Sequence, residues 1–156
     1  MINNLENFLL PENIYLIANW GIIPFWLLLI FMPNNGITKF FSHSIIAPLL
    51  LLIAYGFIGY NIYLDQNILE SFNLYLGLDE LYGVFSDEKF LLIFWLHFLS
   101  ISLFLGSWIS RDGQRYMIPK LLVAICLIIT YFTGPLGMLI YWFIRIFYSK
   151  KISFNE

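Results

Sequence analysis

The chain alternates between long apolar stretches and short polar interruptions, and the lengths of the apolar stretches set the first expectation. A bilayer core about 30 Å thick takes about 20 apolar residues in a helix. Four windows meet that length: Ile14–Met32, Ile45–Leu64, Phe90–Ile109, and a stretch from Leu121 that stays uncharged to Ile144. The polar interruptions suit helix ends. Pro33-Asn34-Asn35-Gly36 stops the first window and supplies a tight turn. Ser86 can cap the third helix, with Asp87 and Glu88 near the positive end of its dipole. Pro119 suits the first turn of the fourth, where its missing N–H costs nothing. Pro24 and Pro135 predict kinks, which neighbouring helices make tolerable in a membrane.

Two weaker patterns lie between the windows. In the connection from Asp65 to Lys89, the residues Leu78, Leu81, Tyr82 and Phe85 recur at helical spacing beside Asp79 and Glu80. They predict a short amphipathic helix on the membrane surface. Leu5, Phe8 and Leu9 hint at another before the first window. The expected fold is therefore all-α, an integral membrane bundle of four transmembrane helices with a short interfacial helix in the second loop. The whole chain, 1–156, reads as one transmembrane domain.

Composition supports this and removes other classes. Only 12% of residues are charged against 60% hydrophobic, where a soluble domain carries about a quarter charged. The mean hydropathy is +0.79. Lipid must serve as the solvent. With a net charge of −2 there is no basic field to recruit nucleic acid. Cys126 stands alone, which excludes an internal disulfide and a cysteine metal cluster. Its apolar surroundings fit a small buried hydrophobe. Residues 1–13 carry no Lys or Arg and do not read as a removable signal peptide. Four spans would put four basic residues on each side, Lys89, Arg145, Lys150 and Lys151 against Lys39, Arg111, Arg115 and Lys120. The dense 110–120 loop then tips both termini away from the cytoplasm.

Few side chains are placed to do chemistry. His97 lies seven residues into the third window, where an ionisable group is a functional candidate, although an imidazole bonded across helices fits equally. His43 falls in the first loop, so a bis-histidine haem site is not expected. Ser100, Ser102 and Ser107 read first as helix–helix glue, and Asn19 before Trp20-Gly21 reads as a placed polar group. Trp108 marks the headgroup level, and Arg111 beside Asp112 is either a surface pair or a grip on a polar end group. Gly134-Pro135-Leu136-Gly137 makes a thin, bent backbone that either packs closely or opens a slot. Sixteen Phe, ten Tyr and five Trp fit an aromatic belt, or a cleft for a long polyene. No nucleotide, hydrolase or metalloprotease motif is present, so no metal and no cofactor is expected.

Several blocks together resemble a known signature: Asn19-Trp20-Gly21-Ile22-Ile23-Pro24-Phe25-Trp26 with Pro33, His97-Phe98-Leu99, Leu103 through Asp112, and Ile118-Pro119 followed by Gly134-Pro135-Leu136-Gly137. In this the chain is similar to the abscisic-acid-deficient-four-like family, membrane proteins required for neoxanthin synthesis in plants. The resemblance covers about residues 14 to 147. It implies a four-helix protein of a thylakoid or bacterial inner membrane that acts on carotenoids. In the plant reaction an epoxide of violaxanthin opens and an allene forms by proton loss, an isomerisation that acid–base groups in a dry slot can perform.

Carried over by position, His97 is the acid–base residue. Trp108, Arg111 and Asp112 match the family's exit motif, and together with Asn19, Trp20, Trp26, Ser102, Gly134 and Pro135 they are expected to contact the ligand. The family pattern has Asp at the position of Ser102 and Arg at that of Ser107. That departure sets a non-catalytic carotenoid binder, or an accessory subunit of a larger membrane complex, beside the enzyme reading. Expected partners are the bilayer and a carotenoid-type ligand, and a homo-oligomer stays open.

Overall fold

The computed structural model describes residues 10–42, 46–65 and 72–149, and the described residues are helical with turns between them. His43, the Leu5–Leu9 pattern, Lys150 and Lys151 lie outside the described residues. The helices are α1 (Pro11–Phe31), α2 (Gly36–Phe41), α3 (Ile46–Asp65), α4 (Leu78–Phe85), α5 (Glu88–Arg115), α6 (Lys120–Thr133) and α7 (Pro135–Ser149), with a 3-10 turn over Phe72–Tyr75. Three of them, α1, α3 and α5, are long and apolar enough to cross a membrane. They fall on the first three apolar windows.

The chain divides into two compact units, Met1–Trp20 with Leu49–Leu99, and Gly21–Pro48 with Ser100–Glu156. In the first, α1 and α5 run in the same direction. Tyr15 lies 6.2 Å from Trp95 between ring centroids, and Glu12 and Glu88 from the two first turns line one groove. The helix α3 runs the opposite way along α5. Tyr55 lies 6.2 Å from His97, and a Cβ on Gly59 would stand 3.4 Å from Ile93. Phe85, at the end of α4, packs 4.4 Å from Phe94. No residue of α4 is buried, and its Leu78 and Tyr82 stand exposed.

The second unit departs from the sequence expectation. The stretch 121–144, read as one span kinked at Pro135, is two helices folded back on each other. A Cβ on Gly113 would lie 2.7 Å from Val123 in the first turn of α6. Arg145, near the end of α7, bonds Asp112 at 2.7 Å. Residues 123 and 145 thus meet α5 at the same level. One straight helix would hold them about 33 Å apart. At the closed end, a Cβ on Gly137 would overlap the Thr130 backbone. The reversal happens at Gly134, whose φ of 58° and ψ of −97° suit a residue without a Cβ. Its N–H donates to the Thr130 carbonyl at 2.8 Å and closes α6. Pro135 then starts α7 where no N–H is required. Each arm, 14 and 15 residues, is about 21–23 Å long and short of a bilayer core.

At its far end α5 stops by a left-handed residue, Met117 with φ 52°. The Ile118 N–H reaches back to the Gly113 carbonyl at 2.9 Å, a helix stop in which the residue after the left-handed one satisfies an orphan carbonyl. This short link delivers Val123 onto α5 and starts the hairpin.

Candidate functional site

A cluster of charged and phenolic side chains lies where α7 meets the last turns of α5. Arg145 is 1% exposed and donates from Nε to Asp112 Oδ2 at 2.7 Å. The Tyr141 hydroxyl donates to the same oxygen, also at 2.7 Å. Arg145 Nη2 donates to the Tyr116 hydroxyl at 3.1 Å, and the guanidinium carbon sits 4.7 Å from the centre of the Tyr116 ring. Spacing explains the arrangement. Tyr141 and Arg145 are four residues apart on α7, as Asp112 and Tyr116 are on α5, so each pair shares a helix face. Trp108, one turn before Asp112, meets the Tyr141 ring edge-on at 5.7 Å. A carboxylate, a guanidinium and two phenols thus satisfy one another between the two helices.

Toward the middle of α5 the interior is drier. Ser102 and Trp26 are both buried, and neither the Ser102 hydroxyl nor the Trp26 indole N–H has a hydrogen-bond partner. The Trp26 ring is wedged. A Cβ on Gly106 would lie 2.7 Å from it, and Tyr131 of α6 meets it edge-on at 5.5 Å. Ser102 lies one turn from Gly106 on the same face of α5. Buried donors without acceptors are uncommon in native structures, so these two are the candidate grips for an oxygen atom of a bound molecule or a water.

The first unit holds an apolar groove of about 540 Å³, lined among others by Glu12, Tyr15, Leu16, Glu88, Leu91 and Trp95. That volume is in the range of small-molecule clefts. Its wall is fixed by Asn19, whose Nδ2 donates to the Tyr15 carbonyl at 2.7 Å. The Asn19 side-chain oxygen in turn accepts from Trp95 Nε1 at 3.1 Å.

The residues singled out from the sequence distribute over these places. Asp112, Trp108, Trp26 and Ser102 belong to the second unit, and Asn19 supports the groove in the first. Trp20 is 71% exposed. His97 is exposed on α5 beside Tyr55. Arg111 is exposed, and Asp112 pairs with Arg145 of α7. Gly134 is the buried turn of the hairpin, and Pro135 beside it is exposed. Sequence reasoning missed Arg145, Tyr141 and Tyr116. The usable signal was a lone arginine four residues after a tyrosine in an apolar helix, since an ionisable side chain at membrane depth requires a partner. Among the described residues no group of three or more His, Cys, Asp or Glu could hold a metal ion.

A family model described as ABA DEFICIENT 4-like matches residues 13–141. The chain is 24% identical over 151 residues to the Arabidopsis thaliana "Protein ABA DEFICIENT 4, chloroplastic", covering 94% of this chain and 64% of that relative. It thus spans just under two thirds of the relative's length. No solved structure matches. The matched residues run from the first turn of α1 to Tyr141 and include Asn19, Trp26, His97, Ser102 and Asp112, so the chain belongs to the ABA DEFICIENT 4-like family.

Proposed function

We propose that this protein is a neoxanthin-synthase-like membrane protein that binds a carotenoid and isomerises it by acid–base chemistry. The observation that carries the reading is a polar centre built into an apolar helical chain of this family. Asp112, Arg145 and Tyr141 close on one another, and Ser102 and Trp26 offer two unpartnered buried donors nearby in the same unit. An epoxide or hydroxyl oxygen on a polyene end group is an acceptor of the kind those donors lack. Asn19, Trp20, Trp108, Arg111, Gly134 and Pro135 are proposed to line the path of the ligand. His97, open to lipid beside Tyr55, is the proposed proton carrier for a ligand lying along α5. Epoxide opening with loss of a neighbouring proton leaves the redox state unchanged, so proton transfer is the chemistry required. No metal or cofactor has a role in it. The exposed Leu78 and Tyr82 of α4 fit a helix lying at the membrane surface, and the membrane is proposed to be a thylakoid or bacterial inner membrane.

A second reading is favoured by one feature of the geometry. Asp112 Oδ2 is occupied by two donors, which suits a structural ion pair better than a free base. On that reading the protein is a carotenoid binder or an accessory subunit of a larger membrane complex. Expression in a bacterial host making β-carotene, zeaxanthin and violaxanthin, with chromatography of extracted pigments, separates the readings. An allenic product lost in His97→Ala establishes catalysis, and the exposure of His97 keeps that variant folded. Pigment that co-purifies without any new product leaves the binder. Neither result would remove the carotenoid reading.

A further inference from the structure

The hairpin changes how the charges of the chain sort across a membrane. Crossings by α1, α3 and α5 place the end of α1, α2 and the 116–119 link on one side, and α4 on the other with the start of α1. Because α6 and α7 fold back at Gly134, α7 ends at the level of Asp112 and Tyr116. The C-terminal end of α7 then lies on the side of the 116–119 link.

We propose that α6 and α7 form a re-entrant hairpin that enters and leaves through one leaflet, so that the described chain crosses the membrane three times and the start of α1 and the end of α7 lie on opposite sides. This rests on α1, α3 and α5 crossing a bilayer. Assigned by chain connectivity among the described residues, Lys39, Arg111, Arg115, Lys120 and Arg145 fall on the hairpin side, and Lys89 alone falls on the other. Glu12, Asp65, Asp79, Glu80, Asp87 and Glu88 accompany Lys89, leaving Asp112 with the basic residues.

A fourth crossing would divide the described basic residues four to two, whereas the hairpin divides them five to one. The positive-inside rule counts basic residues near span ends and in short loops. It therefore orients the hairpin side, with the C-terminal end of α7, toward the cytoplasm, and the acidic face with α4 away from it. The cluster of Asp112, Arg145 and the two tyrosines then lies toward the cytoplasmic leaflet, while the turn at Gly134 reaches the depth of the middle of α5. A Cβ on Gly106, near that middle, would lie 3.5 Å from Leu127 of α6, and Thr130 follows Leu127 by less than a turn.

Single-cysteine labelling tests this in the full chain. In a Cys126→Ala background, Asn34→Cys, Asp79→Cys and Tyr148→Cys each place a thiol at an exposed position. A membrane-impermeant maleimide is applied to intact bacterial spheroplasts and again after permeabilisation. The expected result is that Asp79→Cys reacts in intact spheroplasts, while Asn34→Cys and Tyr148→Cys react only after permeabilisation. Tyr148→Cys reacting together with Asp79→Cys, and Asn34→Cys apart from both, would overturn the hairpin and restore a fourth crossing. The mirror pattern, with Asn34→Cys and Tyr148→Cys reacting from outside, would overturn the orientation. Asn34→Cys and Asp79→Cys reacting from the same side would remove the crossings on which the inference rests.

Discussion

Replacing Asp112 by Asn tests what holds α7 against α5. The change keeps the shape of the side chain and removes its charge. Arg145 is 1% exposed and its bond to Asp112 is 2.7 Å long, so the guanidinium is left charged and shielded without its counter-ion. Tyr141 also loses its charged acceptor. Removing one partner of a buried pair costs about 3–5 kcal/mol, because the charge left behind keeps its desolvation penalty. The Tyr116 hydroxyl and ring remain on Arg145, which places the expected loss toward the lower end of that range.

The measurement is unfolding of the detergent-solubilised protein, by heat or by rising SDS, followed through tryptophan fluorescence. On the soluble-protein scale of about 2–4 °C per kcal/mol for a chain of this size, the midpoint falls by about 6–12 °C for a loss of about 3 kcal/mol. Asp112→Asn with Arg145→Met removes both charges and leaves the Tyr141 hydroxyl an amide oxygen as acceptor, and the double variant is expected within about 1 kcal/mol of the parent. The cycle then gives a coupling of at least about 2 kcal/mol. A loss below about 1 kcal/mol for Asp112→Asn, or two single losses that add in the double variant, would refute the pair as the clamp on the hairpin.

Three further variants probe the packing. Gly137→Ala sets a methyl against the Thr130 backbone and should cost about 1–3 kcal/mol by overpacking. Gly56→Ala, where nothing stands within 4 Å, should be neutral or slightly stabilising in the same unfolding assay. Equal effects at the two sites would contradict the close approach of α6 and α7. Ser102→Ala removes a buried hydroxyl that has no partner and should change stability by less than about 0.5 kcal/mol in pigment-free protein, since no hydrogen bond is lost. A larger loss would mean that the hydroxyl is already satisfied.

Hydropathy read the first three long helices correctly because a run of apolar residues also states its own length. The boundaries moved by a few residues, most at α5, which continues past Ile109 to Arg115. The fourth window failed for a physical reason. Hydropathy integrates composition and is blind to a reversal of direction, so two arms of 14 and 15 residues looked like one span. Thr133-Gly134-Pro135 announced a break. Only the Gly134 dihedrals and the closeness of Gly137 to Thr130 fix its angle. Pro24, by contrast, sits inside α1, which runs on through it to Phe31. The site was legible in its parts and not in its pairings. Asp112 was singled out beside Arg111, yet consecutive residues on a helix point about 100° apart and do not face each other. The partner came from 33 residues further along.

The Asp112–Arg145 bond also has a bearing on how the protein is made. Arms too short to hold themselves in a bilayer, one of them carrying an arginine, have no stable resting place in lipid alone. The carboxylate that receives the arginine belongs to α5, which leaves the ribosome before the hairpin does. Insertion is therefore ordered. With α5 seated first, Asp112 is in place to receive Arg145 when α6 and α7 follow, and the ion pair latches the hairpin onto the helix that precedes it.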